Sequence, residues 1–143
     1  MTVYFDTSAL VKVLVQEADS DRARLLWDQT SSPVASRLAY PEARAALASA
    51  VRGGRLTPSH GRMAKGTLGR LWSQVHVIEL TPAVAEAAGD LAERFALRGY
   101  DAVHLASALA LHDPSAVVAT WDRDLADAAV SAGLSITPPG ARP

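Results

Sequence analysis

Four acidic residues, Asp6, Glu42, Asp101 and Asp122, carry the most specific chemistry this sequence offers. No cysteine is present, which excludes disulfides, thiolate catalysis and cysteine-ligated zinc. The histidines at positions 60, 76, 104 and 112 form no His-x₃-His pair, so a zinc site is not indicated. What remains is carboxylate chemistry. Taken singly, each acid has a structural explanation. Asp6, Asp101 and Asp122 stand where helix N-caps belong, and Glu42 can be a first-turn glutamate attracted by the helix dipole.

The elements around them change that balance. Thr2–Phe5 is β-branched and aromatic and reads as a strand ending at Asp6. Helices are expected from about Ala9 to before Ala18 and from Ser20 to Gln29, then a short strand at Pro33–Ser36. A helix with Pro41 in its first turns closes at Gly53-Gly54. Thr57-Pro58 opens another, reaching Trp72 and weakened by Gly61, Gly66 and Gly69. Then come a strand at Val75–Leu80, a helix from Thr81-Pro82 to Gly99, and an almost wholly apolar helix, Ala102–Leu111, capped by Asp101. A strand at Ala116–Trp121, a helix at Asp122–Ala132 and a strand at Leu134–Ile136 precede a Pro/Gly tail at 138–143.

Alternating strands and helices predict an α/β domain, a short parallel sheet with helices on both faces, spanning 1–143 without repeats or an internal linker. Asp6 and Asp122 then end two strands that open onto one sheet edge, where ligands gather in such folds. Asp101 begins a helix at that edge. Glu42 has Leu38, Ala39, Ala45 and Ala46 as helical neighbours, so its carboxylate either desolvates or looks into a polar site. Four acids at one edge repel one another, and a hard divalent cation, Mg²⁺ or Mn²⁺, is the counter-charge that carboxylates suit.

The segments Val3-Tyr4-Phe5-Asp6-Thr7-Ser8-Ala9-Leu10, Tyr40-Pro41-Glu42, Tyr100-Asp101-Ala102-Val103-His104-Leu105-Ala106 and Ala119-Thr120-Trp121-Asp122-Arg123-Asp124-Leu125 resemble, in order and spacing, the successive motifs of PIN-domain VapC toxins. The resemblance covers essentially the whole chain and implies a PIN-like three-layer sandwich with metal-dependent endoribonuclease activity. It implies that Asp6, Glu42, Asp101 and Asp122 bind the metal and serve catalysis, and that the hydroxyls of Ser8 and Thr120 hydrogen-bond around them. Asp124 is either an acid set back from the ion or a first-turn helix residue. His104, three residues after Asp101, either touches substrate or packs and hydrogen-bonds. The resemblance also implies a homodimer and a VapB-type antitoxin.

Between Glu42 and Glu79 there is no acidic residue, whereas Arg44, Arg52, Arg55, Arg62, Lys65 and Arg70 all fall there. Such separation, hidden by a net charge of −1, marks a candidate polyanion surface. Arg52, Arg55, Arg62 and Lys65 are the candidate RNA-binding residues, on a hairpin at about 44–72 expected to project near Glu42. A solvated helical face or a protein-contact surface are the other readings. Trp72 either stacks a base or packs in the core or an interface. An exposed loop of tRNA or rRNA is the expected substrate.

With no basic leader and no run of 18 apolar residues, a soluble cytoplasmic protein is expected, without membrane contact. No segment suggests that the chain silences itself. A haloacid-dehalogenase-type phosphatase would need a second Asp where Ser8 stands. A PIN-domain RNA-processing nuclease that is not a toxin, and an idle binding module using the acidic pocket, stay as alternatives.

Overall fold

The computed structural model describes residues 1–138, so the expected Pro/Gly tail lies, beyond Pro138, outside the described residues. Five strands, β1 (Thr2–Phe5), β2 (Ser32–Ser36), β3 (His76–Ile78), β4 (Val117–Ala119) and β5 (Ser135–Thr137), form one sheet in the order β3-β2-β1-β4-β5. Every pairing is parallel. Strand β1 is therefore central and covered on both faces, which is why Val3, Tyr4 and Phe5 are all apolar or aromatic and all buried.

The pleat sends these side chains alternately to two helical layers. Val3 and Phe5 pack with Ala9, Val13 and Ala23, from helices α1 (Thr7–Leu14) and α2 (Ser20–Gln29). On that same side α3 (Ala39–Arg52) and α4 (Pro58–Trp72) add Ala39, Ala43, Leu47, Ala64 and Leu68 to a cluster with Leu10 and Leu14. Tyr4 goes the other way, packing with Val34, Val118 and Ala108 of α6 (Gly99–Leu109). Around α6 lie α5 (Pro82–Phe95) and α7 (Arg123–Ser131), joined through Leu105, Leu125 and Ala129. The expected three-layer α/β architecture is what forms, and the apolar α6 is enclosed as its composition requires.

Local sequence explains most boundaries. The side chains of Asp6, Thr57, Thr81 and Asp122 each accept a backbone N–H at a helix start, and Pro58 and Pro82 sit in the first turns. Gly53 caps α3, and Gly54 follows at φ 74°, a conformation a side chain would strain. Gly61 has a packing reason: a Cβ there would lie 2.5 Å from Val51 Cγ2, so its absence lets α4 close onto α3.

Two expectations need correction. Strand β4 is shorter than Ala116–Trp121, because beyond Thr120, whose N–H still donates to the Thr137 carbonyl, the backbone turns to side chains: the Trp121 N–H donates to Ser8 Oγ and the Asp122 N–H to Thr120 Oγ1. Asp101 is not an N-cap either. Helix α6 begins at Gly99 with Arg98 in the cap position, so Asp101 occupies the first turn.

Candidate active site

Asp6, Glu42, Asp101 and Asp122 line one small pocket of about 150 Å³, together with Thr7, Ser8, Arg98, Tyr100 and His104. The pocket lies outside the carboxyl ends of β1 and β4. Between those strands the order changes direction, since β2 and β3 lie on one side of β1 and β4 and β5 on the other. That is the switch point at which open parallel sheets bind ligands. Asp6 follows β1, Asp122 follows β4, Glu42 comes from the first turn of α3, and Asp101 from the first turn of α6.

Each acid is tied down differently. Asp6, buried, accepts from the Ser8 hydroxyl at 2.6 Å, the Ala9 N–H at 2.9 Å and the Thr120 hydroxyl. Ser8 and Thr120 thus hold Asp6 while their oxygens also receive the Trp121 and Asp122 N–H groups, which locks the α1 start to the end of β4. Burial pushes the Asp6 carboxyl above its usual range, against the pull of these hydrogen bonds. Asp101 is also pushed up, by burial first and by nearby Asp122, while Arg98 acts in the opposite sense.

Glu42 sits in a relay that the sequence does not reveal. Its Oε1 accepts from Thr7 Oγ1 at 2.6 Å and lies 2.7 Å from His104 Nε2. His104 is buried, and its Nδ1 lies 2.8 Å from the Tyr4 hydroxyl in the core of the sheet. Burial holds the Tyr4 phenol far above its ordinary range, so it stays protonated beside Nδ1. Burial pushes Glu42 up, but the bonds from His104 and Thr7 outweigh it and hold the carboxyl below its ordinary range. His104 therefore packs and hydrogen-bonds, and its partner is one of the four acids.

Arg98 is the residue that sequence reasoning missed. Its Nε donates to Asp101 Oδ2 at 2.9 Å, and its Nη2 to Asp122 Oδ2 at 3.3 Å. The i, i+3 spacing to Asp101 was visible; the bridge to Asp122 needs the folded chain. Asp124 is exposed in the first turn of α7 and does not line the pocket.

The donor set suits a hard divalent cation: four carboxylates with hydroxyl neighbours and no sulfur. Among the described residues, however, no three His, Asp or Glu side chains converge on a single ion position. Asp101 and Asp122 point to Arg98 and Glu42 to His104, so sharing an ion would require them to exchange partners.

The basic stretch forms the expected α3–Gly-Gly–α4 hairpin, but its turn is far from the acids. Gly53 is eleven residues beyond Glu42 on the same helix, roughly 16 Å at 1.5 Å per residue. Arg44, Arg52, Arg62 and Lys65 surround a larger groove of about 630 Å³ between α3 and α4, floored by Leu47, Val51 and Gly61. Arg55 belongs to another groove, beside Leu14, Val15 and Met63. The four cations named from sequence are divided between two grooves. Trp72 packs against Tyr40, with ring centroids 5.4 Å apart.

The sequence pattern described as "PIN domain" matches residues 3–131. The chain belongs to the PIN-domain family. Ribonuclease VapC45 of Mycobacterium tuberculosis is 51% identical to this PIN domain over 136 residues, 95% of this chain and 94% of that protein. The fold is shared with solved toxins. The crystal structure of Mycobacterium tuberculosis VapC20, a sarcin–ricin loop cleaving toxin, superposes with TM-score 0.68 at 20% identity, over 88% of this chain and 94% of that one. A chain of VapBC2 from Rickettsia felis, crystallised with a DNA fragment from its promoter, gives 0.66 at 12% identity over 95% and 97%. Among the described residues of this PIN domain, no helix is long and apolar enough to cross a membrane.

Proposed function

We propose that this PIN domain is an endoribonuclease that hydrolyses RNA with the help of Mg²⁺ or Mn²⁺, and that it is the toxin of a type II toxin–antitoxin pair. The observation that carries the reading is the meeting of four carboxylates, from four separate elements, in one pocket at the sheet's switch point. The 51% identity to a VapC ribonuclease supports the substrate class.

Asp6, Asp101 and Asp122, with Glu42, are the residues that would hold the cation. A bound divalent cation supplies Lewis-acid charge to a phosphodiester and makes a nucleophile of water near neutral pH. The chain's own groups do the rest. Ser8 and Thr120 fix the orientation of Asp6. Thr7 and His104 keep Glu42 ionised at the pocket wall, so its charge is available to the cation. The pocket is small and sits at an edge, which suits a backbone phosphate presented by an exposed loop or single strand. The reading includes a homodimer and a VapB-type antitoxin.

Incubating the purified chain with total RNA, with and without added divalent cation, and mapping the fragment ends tests this. Cation-dependent cleavage leaving 5′-phosphate and 3′-hydroxyl ends is expected. Cation-independent cleavage, or 2′,3′-cyclic phosphate ends, would point to another chemistry.

Arg62 and Lys65, exposed on the α3–α4 groove, are the best placed of the candidate RNA contacts. Replacing both by alanine should lower RNA affinity and reduce the log–log salt slope by roughly 1.4, about 0.7 per single-strand phosphate released. Filter binding across a salt series measures it, and an unchanged slope would remove both residues from the RNA path.

A further inference from the structure

We infer that Arg98 is the resident counter-ion of the cation-free site, and that it must release Asp101 and Asp122 before those acids can share a divalent cation. The inference rests on the metal reading above and adds a competitor built into the same chain. Three observations support it. The guanidinium bridges two of the four acids, at 2.9 and 3.3 Å, with different nitrogens. Among the described residues it is the one basic side chain lining the pocket other than His104, which is already held by Glu42 and Tyr4. Its attachment is short and fixed: α5 ends at Phe95, Ala96 takes a left-handed turn, Leu97 is buried, and Arg98 caps α6.

A planar guanidinium suits two carboxylates on diverging elements, because its donors fan out in a rigid fork. One positive charge offsets only part of four carboxylates, so the arrangement draws the acids together without saturating their charge. The Arg98 side chain is 61% exposed and can swing into solvent without breaking the core. Asp101 and Asp122, which would hold a cation, are the two acids that Arg98 engages, so the guanidinium and a cation would compete for them. Arg98 therefore weakens the site's affinity for cation and steadies the cation-free protein, through the same contacts.

Calorimetric titration of Mn²⁺ into the purified full chain, without RNA, separates these effects. Wild type is compared with Arg98→Gln, with Arg98→Lys, and with Arg94→Gln, which removes the same charge four positions earlier, on α5 and outside the pocket lining. Arg98→Gln should bind Mn²⁺ roughly fivefold more tightly, the scale of one or two partly exposed ion pairs. Its cation-free melting temperature should fall below that of wild type. Arg98→Lys should lie between the two, since a single ammonium cannot span both carboxylates with the same fork. Arg94→Gln should match wild type in both measurements. Equal or weaker binding by Arg98→Gln overturns the exchange and leaves the metal reading standing. If neither wild type nor Arg98→Gln binds Mn²⁺, the metal reading falls and the exchange with it.

Discussion

Asp6→Asn should abolish the activity of this chain, and Asp101→Asn should do the same. Expressed without an antitoxin, the wild type is expected to arrest bacterial growth, and either variant to leave growth unchanged. In vitro, each should lower the rate of RNA cleavage by roughly 10²–10³-fold, the usual cost of removing one group that stabilises developing charge. The two substitutions reach that end by different routes. Asp6 has both oxygens engaged, by Ser8, Ala9 and Thr120, so an amide there keeps the shape but turns a donor toward one of its three donors. Asp101 bonds only Arg98, so its amide removes charge and little else. Harmless expression of a folded wild type that binds cation would end the toxin assignment; RNA cleavage by that protein would then indicate a processing nuclease. An antitoxin that blocks the pocket is expected to present an arginine. Changing that arginine should weaken rescue, because it must compete with Arg98 for the same carboxylates.

The second large effect is on stability and reverses sign with cation. Asp6 and Asp101 have folded-state pKa values above their ordinary ones, chiefly through burial. Their contribution to stability is full below the ordinary Asp range and is lost as pH rises through the raised values. Glu42 is depressed, so its contribution is present above the ordinary Glu range and is lost only as pH falls through its lowered value. Cation-free protein should therefore gain melting temperature as pH is lowered from neutral toward the ordinary carboxylate range, before Glu42 protonates. Saturating Mn²⁺ or Mg²⁺ binds the ionised acids and should invert that slope. At 100-fold over the dissociation constant the gain at neutral pH is about 2.7 kcal/mol, on the order of 10 °C for a chain of this size. Differential scanning calorimetry across pH, with and without cation, measures both slopes. Identical slopes would mean that the acids do not bind the ion, and Asp101→Asn should flatten the cation-free slope and remove most of the gain.

Much of this was legible from residues because local chemistry set it. Apolar Val3–Phe5 had to be a covered strand, and the Thr-Pro pairs at 57–58 and 81–82 had to open helices. The positions of Asp6 and Asp122 at strand ends followed from strand direction alone. What stayed hidden depends on distance through space. Arg98 reaches Asp122 across 24 positions, and Tyr4 reaches His104 across 100, and neither spacing has a sequence signature. The basic hairpin misled because nearness in sequence ignored the length of α3, which carries Arg52 away from Glu42. Asp101 looked like a cap because an Asp ahead of an apolar run usually is one; Gly99 and Tyr100 instead extended the helix by a half turn.

The strand order also sets when the chain can become dangerous during its own synthesis. Asp6 emerges from the ribosome among the first residues, yet Thr120, the hydroxyl that holds it, is 114 positions later. Until β4 pairs with the central β1, the half-sheet of β1, β2 and β3 offers Asp6 and Glu42 an open edge with neither Asp122 nor Thr120. Contacts of such long sequence separation form late and slowly. A chain stalled or cut anywhere before residue 117 is thus a nuclease without its nuclease site. The site is complete only after most of the message has been read.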